Sequence, residues 1–369
     1  MSPSAETALP LVPRHRRFEP KDLAPLASLL VILVLMTIFT GGKFLRPSTA
    51  KNLLDQAAVL MVVSVGLTFV LLCGEIDLAV GMIALWTAVL CGWSYDKYVT
   101  SQELASKAAA AQMAKGGKPP GEALPPAPAA AAPSRFSPTI LAIIAISLLT
   151  SILLGLLSGT LTVWARMPSF IITLAMMYIS DGAARYLSRS ETFNMPEVLR
   201  SLGNSGFKRG DDVWLPFGAV VAAVVALVGH VVLQHTRFGR YVYMTGGNRE
   251  AARLSGVRTG LIVVACLAIC GLTAGLGGLL NAGRLNSVSL DQNSDLLLSA
   301  VACVVLGGTS LFGGEGGIGR TIIGVVTFTV LKIGLAQINW IDDLARQLLT
   351  GVVLLAALVV NGLLARRRS

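Results

Sequence analysis

Apolar residues arrive along this chain in long unbroken runs separated by short polar breaks. They do not alternate with the period of two that a lipid-facing barrel strand requires, so the runs predict helices. A helix needs about 20 mostly apolar residues to cross a hydrocarbon core. Spans are predicted near Leu23–Thr40, Leu54–Cys73, Val80–Trp93, Thr139–Trp164, Phe170–Ala184, Trp214–Leu233, Leu261–Asn281, Leu296–Leu306, Ile318–Ile338 and Leu348–Leu364. Several fall short of a full crossing, Leu296–Leu306 most clearly. Such segments predict broken or re-entrant helices, whose backbone is tolerated at membrane depth only beneath protein or beside a water-filled cavity. The expected fold is an all-α membrane protein: a polytopic bundle of about ten transmembrane helices with broken or re-entrant segments.

Composition agrees. Hydrophobic residues fill 54% of the 369 positions and charged residues 14%, with a mean hydropathy of +0.70. A soluble domain carries about 25% charged residues because its surface must face water. This chain lacks the polar surface to cover a soluble globule of its size. The five cysteines lie in or beside apolar runs. Cys266 and Cys270 share a helix face but have no histidine or carboxylate partners in sequence, so they read as packing residues rather than a metal site.

The net charge of +10 excludes less than it would in a soluble protein. Its basic residues cluster at Arg14–Lys21, Arg237–Arg258 and Arg366–Arg368. With ten crossings and a cytoplasmic N-terminus, all three clusters fall on one side, the positive-inside pattern. No basic face interleaved with aromatics points to nucleic acid.

The polar breaks divide the chain. Residues 1–20 read as a cytoplasmic tail, 21–95 as transmembrane helices 1–3, and 96–137 as a disordered Ala/Pro-rich periplasmic loop. The low-complexity stretch "KAAAAQMAKGGKPPGEALPPAPAAAAP" buries too little surface to fold. Residues 138–233 hold helices 4–6, with a second hydrophilic loop near Leu187–Asp212. Residues 234–260 form a cytoplasmic loop, 261–364 hold helices 7–10, and 365–369 are a basic cytoplasmic tail.

The loop at 234–260 carries the most information. Asn248 is a good N-cap, and Glu250 stands in the first turn, where negative charge meets the positive end of the helix dipole. Gly256 supplies a C′ stop. The short helix between them is marginal alone in water and must be ordered by what it packs against.

The stretch "GRYVYMTGGNREAARLSGV" resembles the coupling loop of bacterial ATP-binding cassette permeases for monosaccharides, the ribose/xylose type. Three further stretches resemble the same family: "NLLDQAAVLMVVSVGLTFVLLCGEIDLAVG", "MPSFIITLAMM" and "ACVVLGGTSLFGGEGGIG". Together they run from about Thr49 to Asn361, with the Ala/Pro insert as the departure. The resemblance implies that Asn248, Glu250, Ala251, Ala252, Arg253, Leu254 and Gly256 link the chain to a partner's ATP hydrolysis. It further implies ATP-binding cassette ATPase subunits, a periplasmic sugar-binding protein and a second permease copy as partners, in a bacterial inner membrane. ATP and magnesium would belong to the partner ATPase. This chain has no GxxxxGK[ST] loop, so it is expected to bind no cofactor itself.

The Glu75–Asp77 pair sits between two apolar runs, where carboxylates are costly and face a bundle interior, water or a partner. A proton relay, sugar recognition and a structural corner all fit; the favoured reading is a corner whose carboxylates cap the following helix. The glycine-dense segment containing Gly307, Gly308, Gly313 and Gly314 reads as an unwound joint between half-helices. "GLLSG" (Gly155–Gly159) and "GLTAG" (Gly271–Gly275) fit small-residue helix packing, within one bundle or at a permease–permease seam.

A sugar path needs hydroxyl and amide groups with aromatic faces. Ser169, Phe170, Thr173, Asn281, Asn286 and Ser287 are the candidates, alongside Tyr178. No catalytic motif or metal set occurs; the three histidines lack a carboxylate partner in sequence. The expected function is the permease subunit of a sugar importer, xylose or ribose, working by alternating access. Rival readings are a related importer of branched-chain amino acids or nucleosides, and an ion-coupled secondary transporter.

Overall fold

A computed structural model describes residues 24–115, 137–209, 212–293, 295–338, 342, 344–353 and 355. In chain order the helices are α1 (Ala24–Phe39), α2 (Pro47–Leu72), α3 (Val80–Lys115), α4 (Pro138–Ala165) and α5 (Ser169–Ser188). Then come α6 (Glu197–Asn204), α7 (Phe217–His235), α8 (Arg237–Gly247), α9 (Arg249–Leu254) and α10 (Thr259–Leu285). The series ends with α11 (Leu296–Leu306), α12 (Ile318–Ala336) and α13 (Leu344–Val353).

As far as they are described, the predicted apolar runs fall on helices, except that the sixth opens in a short strand at residues 214–216; the last run extends beyond the described residues. Among the described residues, α2, α4, α7, α10 and α12 are long and apolar enough to cross a membrane. α1, α11 and α13 are apolar but shorter. α3 and α5 have the length but carry ionisable residues within it: Asp96 and Lys97 at the middle of α3, Asp181 and Arg185 in the second half of α5. The protein is a multi-pass, all-α membrane bundle.

Two expected loops contain regular structure. α3 continues through "DKYVTSQELASKAAAAQMAK" to Lys115, into the segment expected to be irregular from residue 96. Alanine, lysine, glutamate and glutamine are strong helix formers, which low complexity alone does not reveal. The proline-rich remainder lies at 116–136, outside the described residues, as do the tails at 1–23 and 356–369. The hydrophilic stretch near 187–212 holds α6 and two short antiparallel pairings. β1 (Phe193–Asn194) pairs with β4 (Ser287–Val288). β2 (Gly206–Arg209) forms a bulged hairpin with β3 (Asp212–Pro216).

α2 and α10 form the centre. α2 is buried almost continuously from Ala57 to Leu72. Along α10, "CGLTAGLGG" offers backbone instead of side chains, so neighbouring helices approach closely. Gly271 faces the Ser151 carbonyl and Gly155 of α4, while Gly155 faces the Leu267 carbonyl of α10. The "GLLSG" and "GLTAG" motifs therefore pack against each other inside one chain. On α4, Leu149, Leu153, Leu156 and Leu157 point away from the bundle. All five cysteines are buried and free of disulfides.

Candidate functional site

The family-like stretches, far apart in sequence, meet at the end of the bundle that carries α8 and α9. The meeting point begins where α2 stops. Cys73 is its C-cap, and Gly74 follows in the left-handed region at φ 77°. The Gly74 N–H donates to the Leu71 carbonyl (2.9 Å) and the Glu75 N–H to the Val70 carbonyl (3.1 Å). This is a Schellman stop, whose left-handed residue is best supplied by glycine. α9 ends the same way at Gly256 (φ 82°), and α11 at Gly308 (φ 88°).

Around Gly74, three backbones touch. The Gly314 N–H donates to the Leu72 carbonyl at 3.0 Å. A Cβ on Gly246 would collide with that same carbonyl oxygen, and one on Gly313 would collide with Gly74 and the Gly246 carbonyl. A Cβ on Gly314 would press on Gly247. Gly313 (φ 90°) and Gly314 (φ 72°) also hold left-handed conformations, so both geometry and space demand glycine there. Tyr243 of α8 adds a side-chain tie, its hydroxyl donating to the Gly316 carbonyl at 3.0 Å. The glycine-rich segment from Gly307 to Gly317 is thus a turn between α11 and α12 pressed onto α8 and the end of α2.

The α2–α3 turn is also held from both flanks. Glu75, almost fully buried, accepts from Arg249 Nη1 at 2.8 Å. Arg249 is the first residue of α9, so the short helix is tied directly to the turn. Asp77 is 1% exposed, and its Oδ1 accepts from the Ala79 N–H at 2.9 Å, capping the approach to α3. Asp77 thus caps the helix that follows, whereas Glu75 pairs the turn with α9. On the other flank, Ser169 accepts from the Ile76 N–H (3.0 Å) and Thr173 from the Leu78 N–H (3.1 Å). The Thr173 hydroxyl in turn donates to the Ile76 carbonyl at 3.3 Å. These two path candidates spend their polar atoms on the turn, while Phe170, one residue from Ser169, faces outward.

α9 has the predicted form. Asn248 Oδ1 accepts from the Ala251 N–H at 2.9 Å. Glu250 pairs with Arg253 at 2.9 Å on the exposed face. Ala252 packs inward, and Ala251 is exposed. Leu254 is 81% exposed, and Phe312, in the glycine-rich turn, 92%.

The remaining candidates lie at the opposite end. Asn281, one turn before the end of α10, donates from Nδ2 to Asn293 Oδ1 at 2.9 Å and accepts from Arg284 at 3.1 Å. Asn286 caps α10 in the left-handed region (φ 64°) and accepts from Asn204 at 3.1 Å. Ser287 pairs with Asn194 in the β1–β4 ladder. Asn281 borders a cavity of about 180 Å³ between α2, α10, α11 and α12. Arg249 and Asn293, which join these sites, carry no signal in the sequence that pairs them with partners so distant or so irregularly spaced.

Comparison with known proteins gives a consistent result. A family profile described as branched-chain amino acid transport system / permease component matches residues 49–358. The chain is 29% identical to the ribose import permease protein of Escherichia coli K12 over 349 residues, 94% of this chain and 96% of that one. It is 31% identical to the ribose import permease protein of Bacillus subtilis, covering 92% of each. It is 29% identical to the fructose import permease protein of Rhizobium meliloti, covering 91% of this chain and 84% of that one. No solved structure matches.

Proposed function

This chain belongs to the branched-chain amino acid transport permease family, a transport component rather than an enzyme, and we propose that it is the membrane subunit of an ATP-driven sugar importer. Sugar is the cargo because the similar proteins are ribose and fructose import permeases; a pentose, ribose or xylose, is the favoured substrate. The observation that carries the mechanism is the tie between α9 and the α2–α3 turn through Arg249 and Glu75.

In this reading α9 seats in a cytoplasmic ATP-binding cassette ATPase, with Leu254 and Phe312 adding apolar contact beside it. Asn248, Glu250, Ala251, Ala252, Arg253, Leu254 and Gly256 form the seat. ATP and magnesium belong to the partner, and this chain binds neither. When the ATPases close, α9 moves with them. The Glu75–Arg249 pair and the Gly74–Gly246–Gly313 contacts carry that displacement to the ends of α2, α11 and α12 and to the start of α3. Backbone pressed on backbone has no soft rotamers to absorb a push, so the motion passes to the helices. Alternating access follows from rocking those helices in two copies of the permease. The outward apolar face of α4 meets lipid or the second copy. A periplasmic sugar-binding protein delivers cargo at the opposite end, and both termini lie in the cytoplasm with the basic clusters.

The test is uptake in proteoliposomes containing the permease, its ATPase and its binding protein, against a panel of pentoses, hexoses and amino acids. ATP-dependent uptake of a pentose supports the proposal. Uptake of branched-chain amino acids without sugars overturns the cargo, and uptake without ATPase overturns the energy source.

A further inference from the structure

α11 has 11 residues, about 16 Å at 1.5 Å per residue, or half of a hydrocarbon core. The missing half is irregular chain. After the β4 strand the backbone turns back into the bundle, so that Asn293 is 1% exposed and its carbonyl packs against Gly81 at the start of α3. Irregular backbone at that depth is tolerated where it lines a polar cavity, and a cavity is there. It occupies about 180 Å³ over the N-terminal end of α11.

The lining has a particular chemistry. Gln56, Asn281, Arg284, Gln292 and Ser299 bring amide, guanidinium and hydroxyl groups to it, and Val59, Leu60 and Leu296 supply apolar wall. Arg284 Nε and Gln292 Nε2 are buried donors with no protein acceptor. Arg284 is held in place by Asn281, itself fixed by the buried Asn293. Two cationic side chains, Arg284 and Lys332, are balanced by two carboxylates, Asp291 and Asp295. The site therefore has no net preference for an anion. Donors and acceptors set around an apolar wall suit a neutral polyol, whose hydroxyls both give and take hydrogen bonds and whose C–H face is apolar. The volume equals about six waters at roughly 30 Å³ each, room for one monosaccharide ring.

We propose that this cavity over α11 is a monosaccharide subsite within a single permease subunit, with the side chains of Arg284 and Gln292, whose shielded N–H groups lack a protein acceptor, turning to donate to sugar hydroxyls and with Asn281 positioning Arg284. The proposal rests on the sugar-importer reading, so the test separates the two. In proteoliposomes with ATPase and binding protein, Gln292→Leu raises the sugar concentration for half-maximal uptake about tenfold, the equivalent of one hydrogen bond of about 1.4 kcal/mol. ATP hydrolysis stimulated by the loaded binding protein stays within about twofold of wild type, because the coupling end is untouched. A second variant, Ser299→Cys, gives a readout independent of turnover. A small cationic thiol reagent labels it, and millimolar pentose slows labelling while an equal concentration of leucine does not. Sugar uptake by the wild type with unchanged half-saturation in Gln292→Leu, or with Ser299→Cys unlabelled or unprotected, overturns the subsite. Absence of sugar uptake by the wild type overturns the importer reading instead.

Discussion

The two ends of this bundle are built from opposite materials. At the α8–α9 end, Gly74, Gly246, Gly313 and Gly314 bring backbones into direct contact and leave no space. At the other end, Asn281, Arg284 and Gln292 surround a hollow with long polar side chains. Glycine contacts are stiff and indifferent to chemistry, so they suit the transfer of a displacement. Amide and guanidinium groups around a void are compliant and chemically selective, so they suit a transient guest. Mutations at the first end should stop motion whatever the cargo; mutations at the second should change which cargo moves.

The largest effect is expected at Gly246. Gly246→Leu drives a side chain into the Leu72 carbonyl, an overpacking that costs about 3 kcal/mol. The midpoint of thermal unfolding in detergent should fall sharply and uptake of every substrate should cease. A wild-type melting curve for this variant would mean the three backbones are less tightly seated than described.

Next comes the ion pair, where burial sets the sign of an asymmetry. Arg249→Ala strands an almost fully buried carboxylate and costs about 2 kcal/mol, the penalty for an unpaired buried polar group. Glu75→Gln leaves the half-exposed Arg249 free to turn to water and costs about 1 kcal/mol. Both should uncouple ATP hydrolysis from uptake, and the double variant should be less destabilised than the sum of the singles. Additive losses would show that the pair carries no coupling energy. Thr173→Val follows at about 1 kcal/mol, because the Leu78 N–H loses its acceptor. It should slow uptake of all sugars equally; a change in sugar selectivity would return Thr173 to the path.

What was legible in the sequence follows from range. Hydropathy located the helices because each apolar run is a local property, and the cap residues Asn248 and Gly256 marked α9 for the same reason. The glycine-rich turn was recognisable as a joint, since glycine at that density cannot sustain a helix. What it joins was not visible: Gly314 meets Leu72 across most of the chain. The same limit hid the tie between Glu75 and Arg249. Ser169 and Thr173 are path candidates in one dimension because their hydroxyls on an apolar span have no assigned partner there. Folding supplies the partner, the bare N–H groups of a turn that glycine and two carboxylates had broken open. At the cavity, Asn281 is a candidate from the sequence by its amide group, whereas Arg284, Gln292 and Asn293 carry no pattern that ties them to it. Only the re-entry of the chain after β4 gives them a common space.

The smallest expected change in stability sharpens the contrast most. Glu250 stands on the exposed face of α9, paired with the equally exposed Arg253. Glu250→Lys loses that pair, about 0.3–0.5 kcal/mol, and a favourable charge at the helix N-terminus, worth about as much again at an exposed site. The protein should therefore remain in the membrane with a nearly unchanged melting curve. Uptake should nonetheless fall to background, because the reversed charge lies on the surface offered to the ATPase, while Glu250→Gln should retain part of it. Loss of function without loss of fold is the signature of a docking residue, in contrast to Gly246→Leu, which should lose both. If Glu250→Lys transports normally and still stimulates ATP hydrolysis, α9 is a structural strut and the drive enters the bundle elsewhere.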